Sequence, residues 1–235
     1  MSVKVGFFDS GVGGLSILRA FKSICPEAET EYVGDARHCP YGNRPREEIV
    51  ALSDACVKRL LKRGCSMIVV ACNTATAAAI DYLRAKYPEI PFVGLEPAIK
   101  PAALSTKSGI VAVLATAGTF GGRLYRETKS RFAKDVTVIA TVADEFVTEV
   151  EKMKGKEVSA LKARERSRLL GIVRAKIEPL VRAGADCIVL GCTHFPALKE
   201  LIEEAAGSGV KVIDPSMAVA RQAKRIYDRC MRLTR

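Results

Sequence analysis

An α/β fold is what this sequence predicts: two pseudo-symmetric domains, each built on a parallel sheet. Three observations carry that expectation. Short β-branched apolar runs alternate with helix-spaced segments along the whole chain. A strand–turn–helix pattern occurs twice, as KVGFFDSGVGGLS and as GIVAVLATAGTFGG. A strand that ends in cysteine then follows in each half, as Met67-Ile68-Val69-Val70-Ala71-Cys72-Asn73-Thr74 and as Cys187-Ile188-Val189-Leu190-Gly191-Cys192-Thr193-His194.

The elements follow in order. Val3–Phe8 reads as a strand, Gly14–Ser23 as a helix entered through a glycine-rich turn, and Thr30–Val33 as a short strand. Arg46–Arg63 places apolar residues at 49, 52, 56, 57, 60 and 61, which is helical spacing. Met67–Ala71 is a strand, Ala75–Lys86 a helix, and Pro91–Gly94 a short strand leading to Glu96-Pro97. The order then restarts. Ile110–Ala115 is a strand, 116–122 a glycine-bearing turn into a helix, and Val136–Thr141 a strand. Leu161–Val181 is helical, with Pro179 expected to kink or restart it. Cys187–Gly191 is a strand, Ala197–Ala206 a helix, Val210–Ile213 a last strand and Met217–Arg232 a last helix. The expected domains are 1–95 plus 210–235, and 96–209.

Composition bounds the function classes. The chain has 235 residues, 49% of them hydrophobic, enough for substantial cores. No apolar run approaches the roughly 20 residues that span a bilayer. The N-terminus lacks the long apolar core of a signal peptide. A cytoplasmic protein with no membrane partner is therefore expected. Eight scattered cysteines without a CxxC pair read as reduced thiols.

The net charge is +11. Ten Lys/Arg lie from Lys152 to Arg182 and six from Arg221 to Arg235. A single aromatic residue, Tyr227, falls within them, and no zinc finger or reading helix accompanies them. The charge predicts at most weak, non-specific, salt-sensitive adhesion to nucleic acid.

Ligands in open parallel sheets sit outside the carboxyl ends of the strands. The active site is thus expected in the cleft between the domains, with Cys72 and Cys192 facing one ligand from opposite sides. Such a pair suits moving a proton across a carbon atom. A helix N-terminus makes a thiolate available, and His194 stands two residues from Cys192. Asp9-Ser10-Gly11-Val12-Gly13-Gly14 is neither a dinucleotide fingerprint nor a P-loop, because Ser16 holds the third glycine position and no Gly-Lys-Ser/Thr follows. Its remaining uses are a carboxylate site at a helix N-terminus, with Asp9 as an acid, an amine partner or a cap. Pro40-Tyr41-Gly42 is a turn or a pocket wall, and Glu151 reads alone as a solvated helix carboxylate. Thr116 and Thr119 face the site if the duplication is real. Zinc held by Cys192, His194, His38 and Cys39 matches no structural zinc spacing, so no metal is expected. A thiol hydrolase would use one Cys–His pair and leave Cys72 unexplained.

Taken together, several of these motifs resemble a known family. The chain carries DSGVGG, Gly34-Asp35 with Pro40-Tyr41-Gly42, ACNTA at 71–75, GLEP at 94–97, LAT with Gly118-Thr119, LGCTHFP at 190–196 and the closing Ile213-Asp214. Their order and spacing are similar to glutamate racemase, within the aspartate/glutamate racemase superfamily. The resemblance implies two pseudo-symmetric α/β domains and a cofactor-independent enzyme interconverting L- and D-glutamate for peptidoglycan synthesis. It implies Cys72 and Cys192 as the two bases, Asp9 assisting Cys72, and His194 with Glu151 assisting Cys192. It implies an amino-acid cradle of Asp9, Ser10, Tyr41, Gly42, Asn73, Thr74, Thr193 and His194, with Thr116 and Thr119 nearby. The segment 143–151 departs from the family pattern: its prolines are absent and two extra acids appear. A homodimer is the expected assembly. Substrates such as aspartate, hydantoin or a malonate-type acid are the alternatives on the same fold.

Overall fold

The structure, a computed structural model, describes residues 3–233. Its first half runs β1 (Lys4–Asp9), α1 (Leu15–Ile24), β2 (Glu29–Gly34), α2 (Arg46–Lys62), β3 (Met67–Val70), α3 (Asn73–Lys86) and β4 (Phe92–Val93). The second half runs α4 (Ile99–Ser105), β5 (Ile110–Ala115), α5 (Ala117–Phe120), α6 (Arg123–Phe132), β6 (Thr137–Val142), α7 (Asp144–Lys152), α8 (Ala163–Arg182), β7 (Cys187–Leu190), α9 (Lys199–Ala206) and β8 (Lys211–Ile213). A closing helix, α10 (Ser216–Leu233), ends the chain.

Each half holds a four-stranded sheet, and the two orders match: β2-β1-β3-β4 and β6-β5-β7-β8. All pairings are parallel. Phe8 stands opposite Val70 in one sheet and Leu114 opposite Leu190 in the other. In both sheets the chain leaves the first strand toward one side and returns on the other. The crevice of such a sheet opens between those two central strands. Asp9 and Cys72 lie at that crevice in the first half, Thr116 and Cys192 in the second.

The central strands are apolar on both faces because helices cover both. Val111, Val113, Cys187 and Val189 pack toward α4 and α6, while Ala112, Leu114, Ile188 and Leu190 pack toward α7, α8 and α9. In the first half, Phe8, Ile68 and Val70 meet α2 and α3, and Val5, Phe7, Met67 and Val69 meet α1.

The sequence reading assigns 210–235 as one block to the first domain. The structure divides it. β8 pairs with β7, with Cys187 opposite Lys211, and so closes the second sheet as β4 closes the first. α10 alone crosses back, burying Ala220, Ala223 and Tyr227 against the α1 side of the first half. A three-residue edge strand has the same pattern toward either sheet, so sequence could not assign it. Pro179 does not end α8, which runs on to Arg182. The structure adds two helices absent from the sequence expectation, α4 and α7.

Candidate active site

β1 ends at Asp9, which is wholly buried. One carboxylate oxygen accepts the Gly11 N–H at 2.8 Å and the Ser10 hydroxyl at 3.1 Å. The other accepts the Thr193 hydroxyl at 2.7 Å, from the opposite half. Burial raises the Asp9 carboxyl above the usual range, against the pull of His194 and these three donors.

Cys72 is the N-cap of α3, and its sulfur accepts the Ala75 N–H at 3.4 Å. Its thiol also lies 3.7 Å from Ser10 Oγ. A helix N-terminus favours thiolate, yet burial, the Asp9 charge and Cys192 outweigh it and push Cys72 up to about 12. Asn73 and Thr74 sit in the first helical turn. The Asn73 side-chain amide is buried and makes no hydrogen bond through either its N or its O.

Cys192 follows β7 but caps no helix; its company is a side chain. His194 Nδ1 lies 3.8 Å from its sulfur, and His194 Nε2 lies 2.6 Å from Glu151 Oε1. Burial opposes charge on His194, but hydrogen bonds to Cys192, Cys39 and Glu151 win and hold the imidazolium well above the ordinary histidine range. Burial likewise opposes charge on Glu151, and His194 with the Val12 N–H overcomes it, lowering that carboxyl. The two thiols are thus served differently, Cys72 by backbone amide and Asp9, Cys192 by a histidine–glutamate pair.

Glu151 is therefore not a solvated helix carboxylate. The turn between β1 and α1 is also not left open for an anion. Gly11 N–H is committed to Asp9, and Val12 N–H donates to Glu151 at 2.8 Å. Two glycines allow that closeness. A Cβ at Gly11 would lie 1.9 Å from Glu151 Oε1, and one at Gly13 would lie 2.5 Å from His194 Nδ1.

The remaining predicted residues line the same seam. Thr74 and Thr116 hydroxyls bond at 2.7 Å across the halves, and Thr116 bonds Thr119 at 2.9 Å. The Gly42 carbonyl accepts the Gly118 N–H at 3.0 Å. Tyr41 differs from the reading of a pocket-lining phenol. Its ring belongs to the first half's core, and its hydroxyl donates to Asp35 at 2.7 Å. Its loop can offer the cradle backbone groups and Gly42. Cys39 is the residue not assigned a role in the family-derived site; its thiol donates to Glu151 Oε1 at 3.6 Å. Its place just before Pro40-Tyr41-Gly42 was the available signal. Cys72 and Cys192 are only 4% and 7% exposed. A cavity of about 420 Å³ is lined by Val12, Gly13, Thr193 and His194 among others, but by neither thiol.

Paired parallel sheets with a thiol at each matching strand end are shared with a class that the relatives of this chain identify as amino-acid racemases. The chain belongs to the Asp/Glu/Hydantoin racemase family, whose profile matches residues 15–223. It is 46% identical over 222 residues to a glutamate racemase of Herpetosiphon aurantiacus, covering 94% of this chain and 84% of that protein. A Roseiflexus glutamate racemase is 42% identical, over 94% of this chain and 78% of the relative. Among solved structures, Escherichia coli glutamate racemase, in complex with L-glutamate and the activator UDP-MurNAc-ala, superposes with a TM-score of 0.85 at 34% identity. That match covers 97% of this chain and 83% of the other. The Francisella tularensis glutamate racemase in complex with D-glutamate gives 0.79 at 26% identity, covering 98% and 82%. Among the described residues, no helix is long and apolar enough to cross a membrane.

Proposed function

We propose that this protein interconverts L- and D-glutamate by two-base proton transfer, without pyridoxal phosphate or metal, and supplies D-glutamate for peptidoglycan in the cytoplasm. The single observation that carries the reading is the register match. Cys72 and Cys192 each follow by two residues the strand-end partners Val70 and Leu190, at the crevices of two sheets of identical order. One thiolate takes the α-proton from one face of the carbon while the opposite thiol gives a proton to the other.

An α-proton beside a carboxylate is weakly acidic. The site must bind the carbanionic state better than the substrate. The unpartnered Asn73 amide, the Thr74, Thr116 and Thr193 hydroxyls and the Gly42 loop are the groups suited to hold the amino acid. Buried amides without partners favour a polar ligand that satisfies them. Asp9, His194 and Glu151 do not touch the carbon in this scheme; they set the charge around each sulfur. The burial of both thiols and the seam of hydrogen bonds across the halves mean that substrate enters only when the halves part. Closing then excludes water.

Incubating the metal-free protein with L- or D-glutamate and following circular dichroism tests the reading. Both enantiomers should decay to a racemate. Glutamate that keeps its rotation, while aspartate loses it, would transfer the activity to the smaller acid.

A further inference from the structure

We propose that Cys39, Glu151 and His194 form an inhibitory site for a transition-metal ion of the zinc class, one that takes His194 away from Cys192. Cys39 Sγ, a Glu151 carboxylate oxygen and a His194 ring nitrogen all lie within 4.8 Å of one another. They come from three distant segments, so no spacing in the sequence shows them together. The thiol stands 3.6 Å from Glu151 Oε1, and that oxygen stands 2.6 Å from His194 Nε2.

The donor set is sulfur, imidazole nitrogen and carboxylate oxygen, the three atom types that zinc binds at about 2.0–2.3 Å. Three protein ligands with a fourth position left to water is the composition of an accessible zinc site. Tetrahedral bonds of that length separate nitrogen and oxygen by about 3.3 Å. The Glu151–His194 contact therefore has to open by under an ångström. Cys39 and Glu151 are both partly exposed and can give that much. The outer shell is already in place. Val12 N–H fixes Glu151 Oε1 at 2.8 Å, and the Cys192 sulfur lies beside the other nitrogen of His194. Such partners orient metal ligands. His38 takes no part, since its Nδ1 is held by Asp35 at 2.8 Å.

Racemisation as proposed above gives Cys39 no proton to carry; its thiol only adds to the hydrogen bonds that keep His194 charged. Its ordinary role would be a weak thiol donor filling a loop. The metal reading explains what that role does not: a soft ligand placed against the one histidine–carboxylate pair of the site. Binding replaces two protons, one from the Cys39 thiol and one from Nε2 of the imidazolium, and no electrons move. With Nε2 on the ion, His194 is no longer the cation that Cys192 faces. Cys39 belongs to the first half and the other two ligands to the second, so the ion also ties the halves shut.

The test uses the full chain, stripped of metal, and Co²⁺ as a coloured probe that Zn²⁺ displaces. Wild type should bind one equivalent with a thiolate-to-cobalt charge-transfer band, and added Zn²⁺ should both bleach the band and stop turnover. Cys39→Ala should lose the band, with its inhibition scored against its own metal-free turnover. It should also need about a hundredfold more Zn²⁺ for the same inhibition. Cys39→Ser, which keeps the shape of the loop, should lose the band equally, and Cys192→Ala should retain it. A band or a Zn²⁺ sensitivity that survives in Cys39→Ala overturns the proposal, as does a band lost in Cys192→Ala. The spectroscopic arm reads the metal without glutamate, so it stands or falls separately from the racemase reading.

Discussion

Glu151 Oε1 lies 2.6 Å from His194 Nε2 and holds the Val12 N–H at 2.8 Å. One oxygen thereby couples the partner of the second thiol to the first half of the molecule. Replacing it tests both links. Glu151→Gln keeps the shape and removes the charge. The equilibrium constant of a racemisation is one, so kcat/KM must fall equally for both enantiomers. A drop of about 10–100-fold is expected, the usual size for a lost positioning partner of a working imidazole.

The same variant carries a pH signature in stability. His194 is raised in the folded state, so its contribution is complete below its unfolded value near 6.5 and lost as pH rises through the folded value. Glu151 is lowered, so its contribution is present above its unfolded value near 4.3 and lost as pH falls through the folded value. The pair therefore stabilises most between about pH 4.3 and 6.5. Glu151→Gln should be weaker than wild type by about 2 kcal/mol there. Denaturant melts should show the gap closing toward alkaline pH. A gap that is constant across that range would mean the pair is not charged.

Asp9 sets the other thiol. After burial, its charge is the largest cause holding Cys72 up at about 12. Asp9→Asn in a Cys192→Ala background should move the alkylation profile of Cys72 to lower pH. In the otherwise intact enzyme the same change should slow racemisation, because Ser10, Gly11 and Thr193 lose the carboxylate that positions them. An unmoved alkylation profile would show that burial alone governs the sulfur.

Two glycine substitutions should part company. Gly11→Ala drives a Cβ to 1.9 Å from Glu151 Oε1 and 3.0 Å from Cys39 Sγ. It should cost about 1–3 kcal/mol and most of the activity. Gly171→Ala, inside α8 with nothing within 4 Å of the new atom, should instead stabilise by about 0.4–1 kcal/mol and leave turnover alone. Thermal melts and rates measured on both variants decide.

Much of this was legible from the residues because the information is local. The β-branched runs 67–70 and 187–190 are buried on both faces and carry a strong strand pattern. The repeated strand–turn–helix announced the two halves. What was not legible depends on distance. Helix α7 is only nine residues long and its apolar face is three residues, Phe146, Val147 and Val150, correctly spaced but too few to stand out from a charged stretch. The contact of Glu151 with Val12 spans 139 positions, and nothing near either residue signals it. The DSGVGG turn resembles an open anion site in sequence because the carboxylates that take its amides, Asp9 and the distant Glu151, are brought onto them only by the fold. The basic residues from Arg221 to Arg232 belong to α10, which packs on the α1 side of the first half; Thr234 and Arg235 lie outside the described residues.

The two-thiol proposal makes its sharpest demand on isotopes. Cys72 and Cys192 stand at equivalent strand ends of the two halves, and under the proposal each serves one face of the carbon. The resemblance to the family implies that Cys72 takes the proton from D-glutamate and Cys192 from L-glutamate. Cys72→Ala and Cys192→Ala should each lower racemisation by at least about 10³-fold, within the range of a lost acid–base group. Both should still melt cooperatively, since little volume is removed. In heavy water the thiol that delivers a proton carries one taken from solvent, whereas the proton just removed stays on the other sulfur. Product isolated at early times should therefore hold deuterium, and recovered substrate almost none. A single base swinging from face to face would instead return the original hydrogen to the product. Mass spectrometry of the separated enantiomers, extrapolated to zero time, distinguishes the two. Product that retains its α-hydrogen would end the two-sided mechanism even with racemase activity intact.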